Sequence, residues 1–309
     1  MPISRFPAGV SSFGVPVIGS GNVIPVSTGS YYFVSSTKGS SNNDGLSPDT
    51  PLLTVASAIP KTVASNGDVI VMMPFHRESL SAAGTWTPLA GTSIVGLGWG
   101  SSRPLIKTTA TTATIACSAA NLYFANFITQ AGITETANIF AVSAADCVIN
   151  AVDYVEDTTN NYTCISWCIS TAAAVRMIIT NCKHTGTTAP TGTTGWIQIV
   201  GGDSISITNN QILVPRAAAA TSFVLGGLTT ASTYLTIQGN ILGSLSSQTT
   251  VVGVSLFAGS TGLVADNRLG NLGKTALAGS FAIANCMGFN NLAAHTVTKS
   301  GLLDPVVDS

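Results

Sequence analysis

The chain has 309 residues, a net charge of −1 and only 8% charged residues, against roughly 25% in ordinary soluble domains. That balance gives no electrostatic basis for nucleic acid or an anionic membrane as partner, and no apolar run approaches the ~18 residues of a membrane span. A surface so poor in charge suits burial against further subunits, so an oligomer, most simply a homotrimer, is expected.

Residues 1–30 carry prolines, glycines and scattered apolar side chains without a period, the composition of an extended arm. The opening Met1-Pro-Ile-Ser-Arg-Phe-Pro7 lacks the basic-then-apolar pattern of an export signal. Ile3, Phe6, Val10, Phe13, Val15 and Val17 are costly on a free tail. They are expected to pack on the chain's own body or to anchor it on a neighbour or larger particle. In the second case Ile3, Arg5, Phe6, Val10 and Phe13 form the contact set.

Residues 31–66 read as a strand from Tyr31, a turn-rich loop around Asn43-Asp44-Gly45, and a short helix with Thr50 as N-cap and Pro51 as first helical residue. Gly67-Asp-Val-Ile-Val-Met-Met-Pro74 follows as the first coil strand. The helix ahead of it is expected to cover strand edges that would otherwise be open.

Residues 67–292 repeat. An alternating apolar strand ending in asparagine recurs, as in Ser204-Ile-Ser-Ile-Thr-Asn-Asn210. Aligned on that residue, the copies fall at Asn126, Asn150, Asn181, Asn210, Asn240, Asn267 and Asn291, at intervals of 24 to 31 residues. Each copy follows a second apolar run such as Thr114–Cys117 or Phe223–Leu225. Two or three short strands per turn with no helix between them predict a parallel β-helix rather than a propeller or leucine-rich repeat. Stacking completes the hydrogen bonds and core that no coil has alone. Asparagine suits the bend because it tolerates left-handed geometry and bonds local backbone. Roughly nine coils at about 4.8 Å give a rod of about 45 Å. Residues 293–309 form a polar tail, expected to cover the last coil or to be traded with a neighbour.

Candidate chemistry is sparse. Six cysteines lie mostly in apolar runs and read as buried thiols, and Cys164-x-x-x-Cys168 has no second ligand pair, so no metal or cofactor is expected. Asp153 and Asp157 share a strand face but lie about 13 Å apart, unsuited to a glycosidase pair. Asp153 and His184 each fall three residues after their rung's asparagine. They are therefore expected to stack on adjacent coils as a carboxylate–imidazole base, the one catalytic candidate. His76-Arg-Glu78 reads as solvated ion-pair surface. Trp99, Trp167 and Trp196 are candidates for a sugar-stacking platform, with Trp167 and Trp196 placed inside strands.

The stretch Asn43-Asp-Gly-Leu-Ser-Pro-Asp-Thr-Pro51, then a helix, then Gly67-Asp-Val-Ile-Val71, resembles the opening of pectin-lyase-like proteins, and the resemblance extends as architecture over residues 31 to about 292. It implies an all-β, single-stranded right-handed parallel β-helix with an extended N-terminal arm and a short capping helix. The family includes polysaccharide lyases, hydrolases and bacteriophage spikes, so the fold alone does not set the function. Pro2-Ile-Ser-Arg-Phe-Pro-Ala-Gly-Val10 is similar to the first residues of tailed-phage structural proteins. With acids scarce, the expectation is a non-enzymatic virion protein assembled in the host cytoplasm. It would be a trimeric capsid decoration or head fibre held on the major capsid protein. The alternative is a tail spike that binds or depolymerises host surface polysaccharide. A bacterial β-helix lyase or hydrolase is the third reading.

Overall fold

Strands of two to eight residues, rich in Val, Ile, Thr and aromatic side chains, are too short to bury a core singly and instead stack from coil to coil. In the computed structural model the described residues are 25, 27–157, 159–189, 195–215, 222–226, 230–244, 251–271 and 280–295, with short strands at 11–12, 15–16 and 302–303. Three sheets run the length of the stack. Sheet 1 has ten strands, from Tyr31–Val34 and Val69–Met72 to Met287–Phe289. Sheet 2 runs from Arg77–Leu80 to Leu292–His295, and sheet 3 from Ala83–Trp86 to Phe281–Ala282. The chain visits the sheets in that order on every coil, and each coil pairs in parallel with the next. This is the parallel β-helix expected from the repeat.

The interior follows from register. One inward column of sheet 1 reads Ile70, Ile94, Phe124, Ile149, Ile179, Ile207, Ile237 and Val264 in successive coils, all buried. Each such side chain contributes about 1.5–3 kcal/mol on leaving water. Aromatic rings fill the earlier coils, with Phe124 and Phe140 centred 5.5 Å apart and Phe140 and Trp167 5.0 Å apart. All six cysteines are free and buried.

The ends depart from the sequence reading. The capping helix is Val55–Ala58, with Thr54 as N-cap, whose hydroxyl accepts from Ser57 N at 3.0 Å. Thr50 and Pro51 are not its start. Leu52 is wholly buried and its backbone bonds Phe33 and Ser35, which holds that segment extended. The loop from Ser35 to Thr54 therefore continues sheet 1 before the helix begins. At the other end, Leu302–Leu303 pairs antiparallel with Leu292–His295, so a strand of the chain itself lies on sheet 2.

Candidate functional site

The turn from sheet 1 to sheet 2 is tight from the coil of Tyr123–Ala125 onward. Asn126, Ala151, Asn181, Asn209, Asp266 and Asn290 occupy it at φ between 52° and 57°, with Gly239 at 68°. Left-handed backbone is tolerated best by Asn, Asp and Gly, which explains the recurrence of those residues. The next residue enters a different slot. Asn210, Asn240, Asn267 and Asn291 are buried there, each Nδ2 donating to the next Oδ1 at 2.9–3.0 Å. In earlier coils Phe127, Val152 and Cys182 fill this slot. The seven asparagines aligned in sequence are therefore not one column. Asn126 and Asn181 are turn residues, Asn150 precedes its turn, and only the last four form the ladder.

This corner differs at the first coils. Phe75 takes the left-handed position at φ 63° and is 57% exposed. One coil on, a 3₁₀ turn at Gly100–Ser102 follows Trp99, whose indole is 87% exposed. Arg77 holds this turn: Nη1 donates to the carbonyl of Arg103 at 2.8 Å and Nη2 to that of Ser101 at 3.2 Å. Ser102 Oγ accepts from Trp99 N at 2.8 Å and donates to Trp99 O at 2.7 Å. The backbone under Trp99 is fixed while its ring faces water. An exposed aromatic on a pinned loop is a candidate contact surface.

Charge gathers beside it. Arg103 ion-pairs with Asp153 and donates to the carbonyl of Phe127 at 3.0 Å. Lys107 donates to Asp157 at 2.8 Å, and that ion pair, with help from Asn160 and the Thr159 amide, holds the Asp157 carboxyl below the usual range. Asp153 also accepts from Lys183 N at 2.9 Å, and Lys183 is exposed on the outer face of sheet 2. Arg77, Arg103, Lys107 and Lys183 are four of the chain's twelve Lys and Arg residues, and they sit along one face opposed there by Asp153 and Asp157.

The expected Asp153–His184 pair does not form. Register sets His184 against Tyr154, while Lys183 is the neighbour of Asp153. Alternation along the strand then turns Asp153 outward and His184 inward. His184 is buried among Trp167, Tyr154 and Trp196, with Trp167 centred 4.3 Å away, and its Nδ1 accepts from Trp196 Nε1 at 2.6 Å. Burial pulls its pKa down to about 3, so it is a neutral core residue. Asn150 lies one residue before its turn whereas Asn181 is the turn residue itself, and that one-residue offset produced the misalignment.

His76-Arg-Glu78 is likewise corrected. Arg77 faces out, but His76 and Glu78 are buried. The Glu78 carboxylate accepts from Val55 N at 2.7 Å, Ala56 N at 3.3 Å, Trp86 Nε1 at 2.8 Å and His76 Nε2 at 3.1 Å. It caps the helix from below. Trp167 and Trp196 are core residues, which leaves Trp99 as the platform candidate. Ile3, Arg5, Phe6, Val10 and Phe13 lie outside the described residues. Among the described residues no three His, Cys, Asp or Glu side chains gather as a metal site. Phe75, Arg103, Lys107 and Lys183 went unnoticed in sequence, and Arg77 was read only as part of a solvated triplet. A usable signal was present: Arg103 follows Arg77 by 26 residues, one coil length, in a chain with few cations.

No family model and no curated protein matches this sequence. Among solved structures it is similar to a rhamnogalacturonan lyase, with TM-score 0.53 and 15% identity, over 79% of this chain and 69% of the other. It is also similar to a GH136 lacto-N-biosidase from Eubacterium ramulus, with TM-score 0.47 and 12% identity, over 86% of this chain and 55% of that one. The first likeness shows the pectin-lyase-like fold. The expectation that the chain is not an enzyme is corrected by it: a lyase carries the same fold, so the fold leaves an enzyme open.

Proposed function

We propose that this protein binds an acidic polysaccharide at the corner between sheets 1 and 2 and depolymerises it. One observation carries the reading: Trp99, 87% exposed, stands on a turn whose Ser102 carbonyl accepts from the amide of the exposed Phe75, and that turn adjoins the row Arg77, Arg103, Lys107 and Lys183. The apolar face of a sugar ring packs on an indole, and guanidinium or ammonium groups bond its carboxylates. The lyase with the same fold is named for rhamnogalacturonan, which agrees in kind. Cations beside a uronate carboxylate neutralise it and acidify the adjacent C–H bond, the condition that an elimination needs. Asp153 stands on the same face as the candidate carboxylate for proton transfer once bound substrate draws Arg103 from it, whereas Asp157 is held ionised by Lys107.

The test is product formation. Incubation with polygalacturonate, rhamnogalacturonan, alginate and bacterial capsular polysaccharides is expected to release unsaturated or reducing ends from at least one. Trp99→Ala should raise KM with less effect on kcat, whereas Asp153→Asn should lower kcat. Absence of new ends from all, with wild-type protein folded, would refute depolymerisation. The setting we propose is the spike or receptor-binding protein of a tailed phage acting on a host surface glycan. It rests on the resemblance of Pro2–Val10, and immunogold labelling of purified particles tests it.

A further inference from the structure

Sheet 1 carries a second apolar cluster on its outside. Beyond the fourth strand one outward row is polar for four strands, reading Asn150, Thr180, Thr208 and Gln238 in register, before it turns apolar again at Ala265 and Phe289. In the first strands the same row reads Phe33, Val71, Val95 and Ala125, and the neighbouring row holds Tyr31, Val69 and Tyr123. Val69, Val71 and Val95 are 0% exposed and Ala125 1%, although they point away from the interior. With Tyr31, Phe33, Leu97 and Tyr123 they form a cluster separate from the core. Large outward apolar side chains later on this sheet stay open to water, Ile178 at 36%, Met287 at 71% and Phe289 at 69% exposed, whereas the valines of the first strands are sealed. This belt is built to be covered.

We infer that its cover is the chain's own N-terminal segment, residues 1–24. The segment leads to the belt: the Tyr31 hydroxyl donates to Pro25 O at 3.1 Å and accepts from Ser27 N at 3.0 Å, and Ser27 Oγ bonds Gly67 O at the start of the next strand. Its length is ample, since the belt spans four strands, about 15 Å across at the usual strand spacing. Its composition matches: Arg5 is the only charged side chain in the first 30 residues, and Ile3, Phe6, Val10, Phe13, Val15 and Val17 supply apolar surface. Ser11–Ser12 pairs antiparallel with Val15–Pro16, so the segment doubles back on itself as a compact cover would. This gives the arm an intramolecular seat, independent of any glycan activity.

Limited proteolysis of the full chain tests the seat. Trypsin at Arg5 and chymotrypsin at Phe13, read by mass spectrometry, should cut about 100-fold more slowly than in a free peptide of residues 1–24. Val95→Glu, an outward substitution, should restore rapid cutting while circular dichroism keeps its β signature. Tyr123→Ala, milder, should do so in part. Cutting of the wild type at the peptide's rate would overturn the inference, as would protection that survives both substitutions. Protection that fades on dilution, in step with dissociation of an oligomer, would assign the belt to a second copy and overturn it as well.

Discussion

Arg103 and Asp153, 50 residues apart in sequence, meet in an ion pair on the outer face of the stack. The same guanidinium donates to the carbonyls of Phe127 and Ala151, so one side chain ties three successive coils together at the corner that presents Trp99. Replacing Arg103 by Ala removes the countercharge of Asp153, which keeps only the Lys183 amide, and takes a donor from two carbonyls, of which that of Phe127 keeps the Asp153 amide. A loss of about 2–4 kcal/mol is expected, read by thermal unfolding. Arg103→Lys should recover only part of it, because an ammonium lacks the planar fork that reaches several acceptors at once.

The asparagine ladder makes a separate prediction. Asn240 accepts from Asn210 N and Nδ2 at 3.0 Å each, and donates to Ile207 O and Asn267 Oδ1 at 2.9 Å each. Asn240→Ala leaves all four groups buried without that partner, at about 1–3 kcal/mol for each one left unsatisfied. The urea midpoint should fall sharply with little change in slope. Cys182→Ser, by contrast, changes a position in the same slot where no asparagine stands, and should cost far less.

These two relationships show what the sequence made legible. Strand alternation and the recurring asparagine were enough to place the β-helix, the sheet 1 strands and the buried cysteines, because periodicity reports directly on which side chains face inward. They were not enough to fix register to one residue. Two adjacent positions, one needing left-handed backbone and one needing a stacking amide, both favour asparagine, and the sequence does not say which job each performs. Asparagine also ends a strand, as at Asn150, one residue before its turn; aligning it with the turn residue Asn181 was a single-residue slip that moved His184 from the core to the surface in the sequence reading, since a strand turns its side chains over at every step. Glu78 was missed for another reason. Its partners, the amides of Val55 and Ala56 and the indole of Trp86, are brought together only by coiling. Local sequence shows a charged triplet and nothing of the helix above it.

Glu78 accordingly controls the N-terminal cap. Glu78→Ala removes the acceptor for two helix amides and an indole N–H in a buried site, at about 3 kcal/mol or more. Hydrogen exchange should rise first at Val55–Ala58 and Val69–Met72, with the late coils unaffected. Uniform loss of protection across the stack would contradict a local role.

His184 sets a pH dependence. Its folded pKa of about 3 lies below its ordinary value of 6.5, because burial disfavours the charged ring. The unfolded chain therefore binds a proton that the folded chain refuses. The stability present above pH 6.5 is lost as pH falls from there toward 3, at about 1.4 kcal/mol per pH unit from this group. His184→Gln should flatten the unfolding free energy over that window. Asp146, Asp157, Asp203 and Asp266, held low by Arg176, Lys107, Thr233 and Asn290 respectively, add a further loss at lower pH.

The proposed site carries its own reporter. The chain has four tryptophans, and Trp86, Trp167 and Trp196 are at most 1% exposed while Trp99 is 87% exposed. Water-sensitive tryptophan emission therefore comes from Trp99. Titration with acidic oligosaccharides is the most direct measurement of the central claim. A saturable blue shift, absent in Trp99→Phe and weakened in Lys183→Ala and at high salt, is the predicted result. Saturable binding by calorimetry that leaves Trp99 emission unchanged would place the glycan elsewhere, and no binding by either method across uronate-containing and other acidic glycans would contradict the assignment outright.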